Sequence, residues 1–235
     1  MPARIVVINP NSTEAVTDAI DRAVAPLRMA SGPEIECVTL AEGPPGIETQ
    51  AHVEQVVSPI LRLIGERADA AAFVIACFSD PGLHAAREAA GRPVLGIAEC
   101  GLLTALTLGE RFGIISILAG SVARHRRYVR QLGLSERFAG DLPIGLGVVE
   151  LSDAGRTLVH LSAIGSELRD HHAADVLVFG CAGMAQYRQQ IEAAVGLPVV
   201  DPTQAAVTMA IGAVRLAGTD AADRGLQTEA PPASG

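Results

Sequence analysis

The sequence contains no lysine: all 18 of its basic residues are arginine. Without an ε-amino group, Schiff-base chemistry with pyridoxal phosphate or a carbonyl substrate is excluded, and so is the lysine of a P-loop. Aromatic residues make up only 3% of the 235 positions, too few for a platform on which bases stack. The formal charge of -8 repels a phosphate backbone. The one basic cluster, "RHRRYVR" from Arg124 to Arg130, reads as a solvated helix face, so no nucleic-acid partner is expected. No apolar run nears the ~20 residues of a membrane span, and no basic-then-apolar leader opens the chain. A cytoplasmic protein without a membrane partner is expected. The four cysteines, Cys37, Cys77, Cys100 and Cys181, form no C-x-x-C pair, and the histidines lack ligand spacing. Neither a disulfide framework nor a metal is expected.

What is present is a 49% hydrophobic chain with 24 glycines. Apolar, β-branched runs alternate with segments of helical period. Strands are expected at 4–9, 34–40, 71–77, 93–97, 112–118, 146–151, 175–181 and 197–201. Helices are expected from about Ser12, Ala51, Leu83, Leu102, Ser121, Gly155, Ala185 and Ala205. Continuous apolarity within the strands argues for parallel sheets covered on both faces. The halves also match: "AAFVIAC" ends at Cys77 and "DVLVFGC" at Cys181, while Pro93 and Pro198 open two further similar strands. The expected fold is α/β, two pseudo-symmetric lobes, each a mostly parallel sheet flanked by helices, with the active site in the cleft between them. The expected division is 1–97 with about 205–217 for the first lobe, 98–204 for the second, and a flexible tail over 218–235.

Both Cys77 and Cys181 fall at strand ends, where a thiolate is stabilised by a following helix and by free backbone N–H groups. Ser79, Asp80 and Pro81 read as a start signal for the helix from Leu83. Ala182 and Gly183 let backbone approach a ligand. Two thiols facing each other across a small ligand can remove a proton from a carbon and return one to its opposite face. The carbon must be acidified by a carbonyl, and the N–H groups after each cysteine, those of Phe78, Ser79, Ala182 and Gly183, are candidates to hold the enolate oxygen. Cys37 and Cys100 read as packing residues. "INPNST", from Ile8 to Thr13, offers amide and hydroxyl contacts at a third strand end. "AEGPPGIETQ" (41–50) is a connecting loop or else a lid or wall of the pocket.

Taken together, "INPNST", "ACFSDPGLHAARE", "PVLGIAE", "GCAGM" and "LPVVDPTQAAV" resemble the aspartate/glutamate racemase superfamily, most closely its hydantoin racemase branch, which includes allantoin racemases. The resemblance runs from about residue 4 to residue 211. It implies two pseudo-symmetric lobes, racemisation without a cofactor, Cys77 and Cys181 as the catalytic pair, and Asn11 and Ile47 in the pocket. It also implies a small-molecule substrate and a homo-oligomer. Amino-acid racemases of the superfamily carry Asn and Thr after the first cysteine and Thr after the second, whereas this chain has Phe78–Ser79 and Ala182–Gly183. That less polar lining suits a neutral ring, a 5-substituted hydantoin or allantoin, better than a zwitterion. The Pro-rich "GPPGIET" around Ile47 departs from the branch's pattern and leaves the substrate open. The alternatives are another superfamily isomerase, acting on an amino acid or an unsaturated diacid, and a non-catalytic small-molecule-binding homologue.

Overall fold

In the computed structural model, which describes residues 3–226, with side chains described as far as 217, the apolar runs form two four-stranded sheets. The chain proceeds through β1 (Arg4–Asn9), α1 (Glu14–Val24), β2 (Glu34–Thr39), α2 (Gln50–Gln55), α3 (Val57–Glu66), β3 (Ala70–Ile75), α4 (Leu83–Ala90) and β4 (Val94–Gly96). Then α5 (Ile97–Ala105) leads to β5 (Phe112–Ser116), α6 (Ala119–Gln131), β6 (Phe138–Pro143), α7 (Ala154–His172), β7 (Val176–Phe179), α8 (Arg188–Val195) and β8 (Val199–Val200). Helix α9 (Pro202–Leu226) ends the described chain.

Every strand pair is parallel, and the two sheets have the same order, β2-β1-β3-β4 and β6-β5-β7-β8. Both faces of the first sheet are covered, as its unbroken apolar strands require. Ile5, Val7, Ala72 and Val74 point into the core shared with α1, α5, α9 and the second lobe. Their neighbours Val6, Ile8, Phe73 and Ile75 point the other way, onto Ile60 and Ile64 of α3 and Leu83 and Ala86 of α4. This is the period-two alternation of a strand, with both phases apolar. After α8 and β8, the chain returns to the first lobe through α9, which packs on β1, β3 and β4.

Three local expectations are corrected. The sixth strand is 138–143, not 146–151. The edge strand β6, "FAGDLP", is broken in its apolar run by Gly140 and Asp141, while Leu146, Val148 and Leu151 bury their side chains from a loop and a short 3-10 helix. Helix α5 starts at Ile97 rather than Leu102, because the groups that cap it come from elsewhere in the chain. After Cys181 a 3-10 helix runs over Ala182–Tyr187, and α8 begins only at Arg188. Of the expected tail, residues to Leu226 continue α9, and 227–235 lie outside the described residues.

Candidate active site

The same hydrogen bonds place both cysteines. The residue before each one makes the last ladder bond to the neighbouring strand: Ala76 N–H donates to the Ile8 carbonyl at 2.8 Å and Gly180 N–H to the Ile115 carbonyl at 2.8 Å. The carbonyl of each cysteine then closes a tight turn, accepting from Asp80 N–H at 2.9 Å and from Met184 N–H at 3.2 Å. That turn aims the N–H two positions on, of Ser79 and of Gly183, at the cysteine's own sulfur. The N–H groups of Phe78 and Ala182 have no partner recorded among the described residues.

Cys77 and Cys181 line one cavity that opens between the lobes, together with Asn11, Ile47, Phe78, Ser79 and Ala182. Gly183 is not in its wall; it lines the adjoining groove, beside Val148 and Leu151. Asn11 is buried, and its Oδ1 already accepts from Thr13 N–H at 3.0 Å and Asn9 Nδ2 at 3.1 Å, which leaves its amide N–H groups for the cavity. The 41–50 loop is a wall. Ser12 N–H donates to the Pro44 carbonyl and Thr13 Oγ1 to the Pro45 carbonyl, at 3.0 and 2.8 Å, and Glu48 Oε1 accepts from Val148 N–H of the other lobe at 3.0 Å. Cys37 and Cys100 lie away from this cavity.

The expectation of lowered thiol pKa values is corrected. Burial pushes the Cys77 thiol up to about 12, against the pull of the Ser79 N–H and of Arg124. It pushes Cys181 up to about 11, against the Gly183 N–H, with Glu48 and Asp201 adding to the rise. Helix α4 begins six residues beyond Cys77, too far for its dipole to offset desolvation. A thiolate formed here is a strong base.

Helix α6 is the solvated face expected on one side only. Arg126, Arg127 and Arg130 are exposed, but Ser121, Arg124 and His125 on the opposite side face the cavity. Arg124 Nε donates to Ser79 Oγ at 3.0 Å and Tyr128 O–H to Asp80 Oδ2 at 2.9 Å, so this second-lobe helix grips the turn that follows Cys77. His125 belongs to a buried cluster with Ser116 and Asp141. The signal was present in the sequence: Ser121, Arg124, His125 and Tyr128 share one face at helical spacing.

Asp80 does not start α4. It sits in the left-handed region at φ 42° and turns its carboxylate to the start of α5, accepting from Ala98 N–H and Glu99 N–H, each at 2.9 Å. It fills the place of a side chain at Gly96, where a Cβ would lie 2.2 Å from its Cγ. The second lobe solves the same problem in reverse: Met184 occupies the position of Asp80, and Asp201, at the position of Gly96, caps α9 through Thr203 N–H at 2.7 Å and Gln204 N–H at 3.2 Å. Its Oδ2 and the Thr203 hydroxyl are buried without a partner.

Burial raises Asp80 to about 7 and Asp201 to about 6 from an ordinary 3.8. Both therefore bind a proton more tightly in the folded than in the unfolded state. Their contribution is fully present below about pH 4 and is lost as the pH rises through their folded values. Asp201→Asn keeps the capping oxygen and offers an N–H to Thr203. It should raise stability by about 1 kcal/mol at pH 8 and by much less at pH 5. Urea denaturation of both proteins at the two pH values checks this.

The fold recurs in solved racemases. The allantoin racemase from Klebsiella pneumoniae matches with a TM-score of 0.87 at 34% identity, over 92% of this chain and 89% of that one. The allantoin racemase from Pseudomonas fluorescens matches at 0.84 and 28% identity, over 91% and 92%. Two parallel lobes of one topology around a shared cleft thus define an isomerase of the racemase kind. The hydantoin racemase of Paenarthrobacter aurescens is 34% identical over 218 residues, 91% of this chain and 92% of that protein. Residues 5–210 match the Asp/Glu/Hydantoin racemase family, to which the chain belongs.

Proposed function

We propose that the protein racemises a 5-substituted hydantoin without a cofactor, Cys77 and Cys181 acting as opposed base and acid at the carbon next to the ring carbonyl. The observation that carries this reading is the pair of cysteines at equivalent strand ends in the wall of one cavity. One sulfur takes the proton as the other gives one, so neither must exchange with solvent within a turnover. The Phe78 and Ala182 N–H groups are available to hold the enolate oxygen. The names of the relatives, hydantoin and allantoin racemases, support the same substrate class.

An apolar 5-substituent is favoured over the ureido group of allantoin. Val16 and Val148 line both the cavity and the adjoining groove, where Ala15, Ala19, Val149 and Leu151 form an apolar stretch bordered by Thr13, Arg22, Ser152 and Gln186. Each buried CH₂ contributes about 0.8 kcal/mol, so kcat/KM for 5-isobutylhydantoin should exceed that for allantoin by about tenfold or more. A chiral assay with both compounds and with free amino acids tests this; faster turnover of an amino acid would overturn the substrate reading.

The reaction needs one thiolate and one thiol. With the pair pushed up to about 11 and about 12, the singly ionised form grows tenfold per pH unit from neutrality upward. We expect log kcat/KM to rise with a slope near one between about pH 7 and 9. A flat profile over that range contradicts thiol bases in this environment.

A further inference from the structure

His125 lies on the inner face of α6, 4% exposed, with its ring edge-on to Phe78 at a centroid distance of 5.1 Å and an interplanar angle of 82°. Resting on the reading of the cavity as a hydantoin site, we propose that His125 is a further substrate-contacting residue, its Nε2 accepting a hydrogen bond from a ring N–H of the substrate.

The tautomer follows from the neighbours. Asp141 is buried, and a carboxylate accepts hydrogen bonds. Oδ1 takes the Ser116 hydroxyl, and Oδ2 lies 2.8 Å from His125 Nδ1, which must therefore carry the proton. With a proton on Nδ1, a neutral ring carries its lone pair on Nε2. No hydrogen-bond partner for Nε2 is recorded among the described residues, and His125 is part of the cavity wall. The buried carboxylate and the Phe78 edge fix the ring, so the acceptor is oriented before substrate arrives.

The cavity suits such an acceptor. Donors line much of it, the Phe78 and Ala182 N–H groups, the Asn11 amide N–H groups and the Arg124 guanidinium, while its two hydroxyls are already engaged, Ser79 Oγ by Arg124 Nε at 3.0 Å and Ser121 Oγ with the Leu118 carbonyl at 2.6 Å. A ring with carbonyls alone would be satisfied by these donors. A cyclic ureide also carries N–H groups, which would be buried unpaired at a cost of about 1–3 kcal/mol each without an acceptor. His125 supplies one from the side of the cavity where Phe78 follows Cys77.

The test compares 5-isobutylhydantoin with its N1-methyl and N3-methyl derivatives, in the wild type and in His125→Asn. Asparagine keeps an N–H for Asp141 and deletes Nε2. For one of the two methyl isomers, wild-type kcat/KM should fall about tenfold or more below the parent compound. His125→Asn should reduce that discrimination to within about twofold. Because each value is a ratio within one preparation, a partly misfolded variant does not distort it. Discrimination against neither isomer by the wild type, or undiminished discrimination by His125→Asn, overturns the proposal. Should the variant be too slow to assay, imidazole ¹⁵N spectra of the wild type decide it. On saturation with the parent hydantoin the His125 Nε2 resonance should move while Nδ1 stays, and an unmoved Nε2 overturns it. A wild type that leaves the parent hydantoin unracemised overturns the functional reading itself, and the proposal with it.

Discussion

Cys77→Ser and Cys181→Ser should each lower racemisation about a thousandfold while leaving the protein folded, the middle of the range for a positioned acid–base group. Serine retains the size of cysteine and can still accept the N–H of Ser79 or Gly183 that now faces the sulfur. It cannot yield its proton at neutral pH, and its alkoxide is not populated as a base. The double variant should be little slower than either single one, since two groups acting as a unit are not additive. Each single variant keeps one thiol, so exchange of the α-proton should survive on one face of the substrate and for one enantiomer. Chiral chromatography gives the racemisation rate, and far-UV circular dichroism shows whether the fold is kept. Racemisation within threefold of wild type in either variant would remove that cysteine from the mechanism.

The second large effect concerns the carboxylate behind Cys77. Asp80→Met removes three hydrogen bonds at once, from Ala98 N–H, Glu99 N–H and Tyr128 O–H. Part of that loss is offset, because burial already raises Asp80 to about 7 and its charged form is costly. A net loss of about 2 kcal/mol is expected. Gly96→Asp alone should cost about as much or more, since its Cβ would meet the Asp80 carboxyl at 2.2 Å and two carboxylates would crowd one site. Together the two changes write the Met184 and Asp201 arrangement of the second lobe into the first. The new aspartate can cap α5 as Asp201 caps α9, through the second and third N–H groups of the helix. The double variant should therefore be more stable than either single one, with a coupling of at least about 1 kcal/mol. Urea unfolding of the four proteins measures it, and simple additivity would show that the two lobes do not share this device.

Much of this architecture was legible because it repeats. Strands such as "FVIAC" and "LVFGC" are apolar on both faces, which only a covered parallel sheet tolerates, and their common spacing exposed both the lobes and the paired cysteines. What is not legible in the sequence depends on long-range partners. Asp80 followed by Pro81 has the form of a local helix start, yet its carboxylate serves a helix 18 residues further on. The arginine run on α6 looks solvated until Ser79 and Asp80 are placed beneath Arg124 and Tyr128. The apolar run of the edge strand β6 is interrupted by Gly140 and Asp141, and Asp141 is bonded to His125 of α6. Thiol acidity follows the same division: strand-end N–H groups are visible in the pattern, while the desolvation that outweighs them belongs to the closed cleft.

The most direct test of the central claim follows the proton. Each enantiomer of 5-isobutylhydantoin is incubated separately with the wild-type enzyme in D₂O, and early product and unreacted substrate are separated and analysed by mass spectrometry, with the uncatalysed exchange subtracted. Two opposed thiols predict a product deuterated at the α-carbon from the first turnovers and a remaining substrate that is still protiated, from either direction. Early product that keeps its original proton, or substrate that exchanges as fast as it racemises, would mean that one group handles both faces and would contradict the pairing of Cys77 with Cys181.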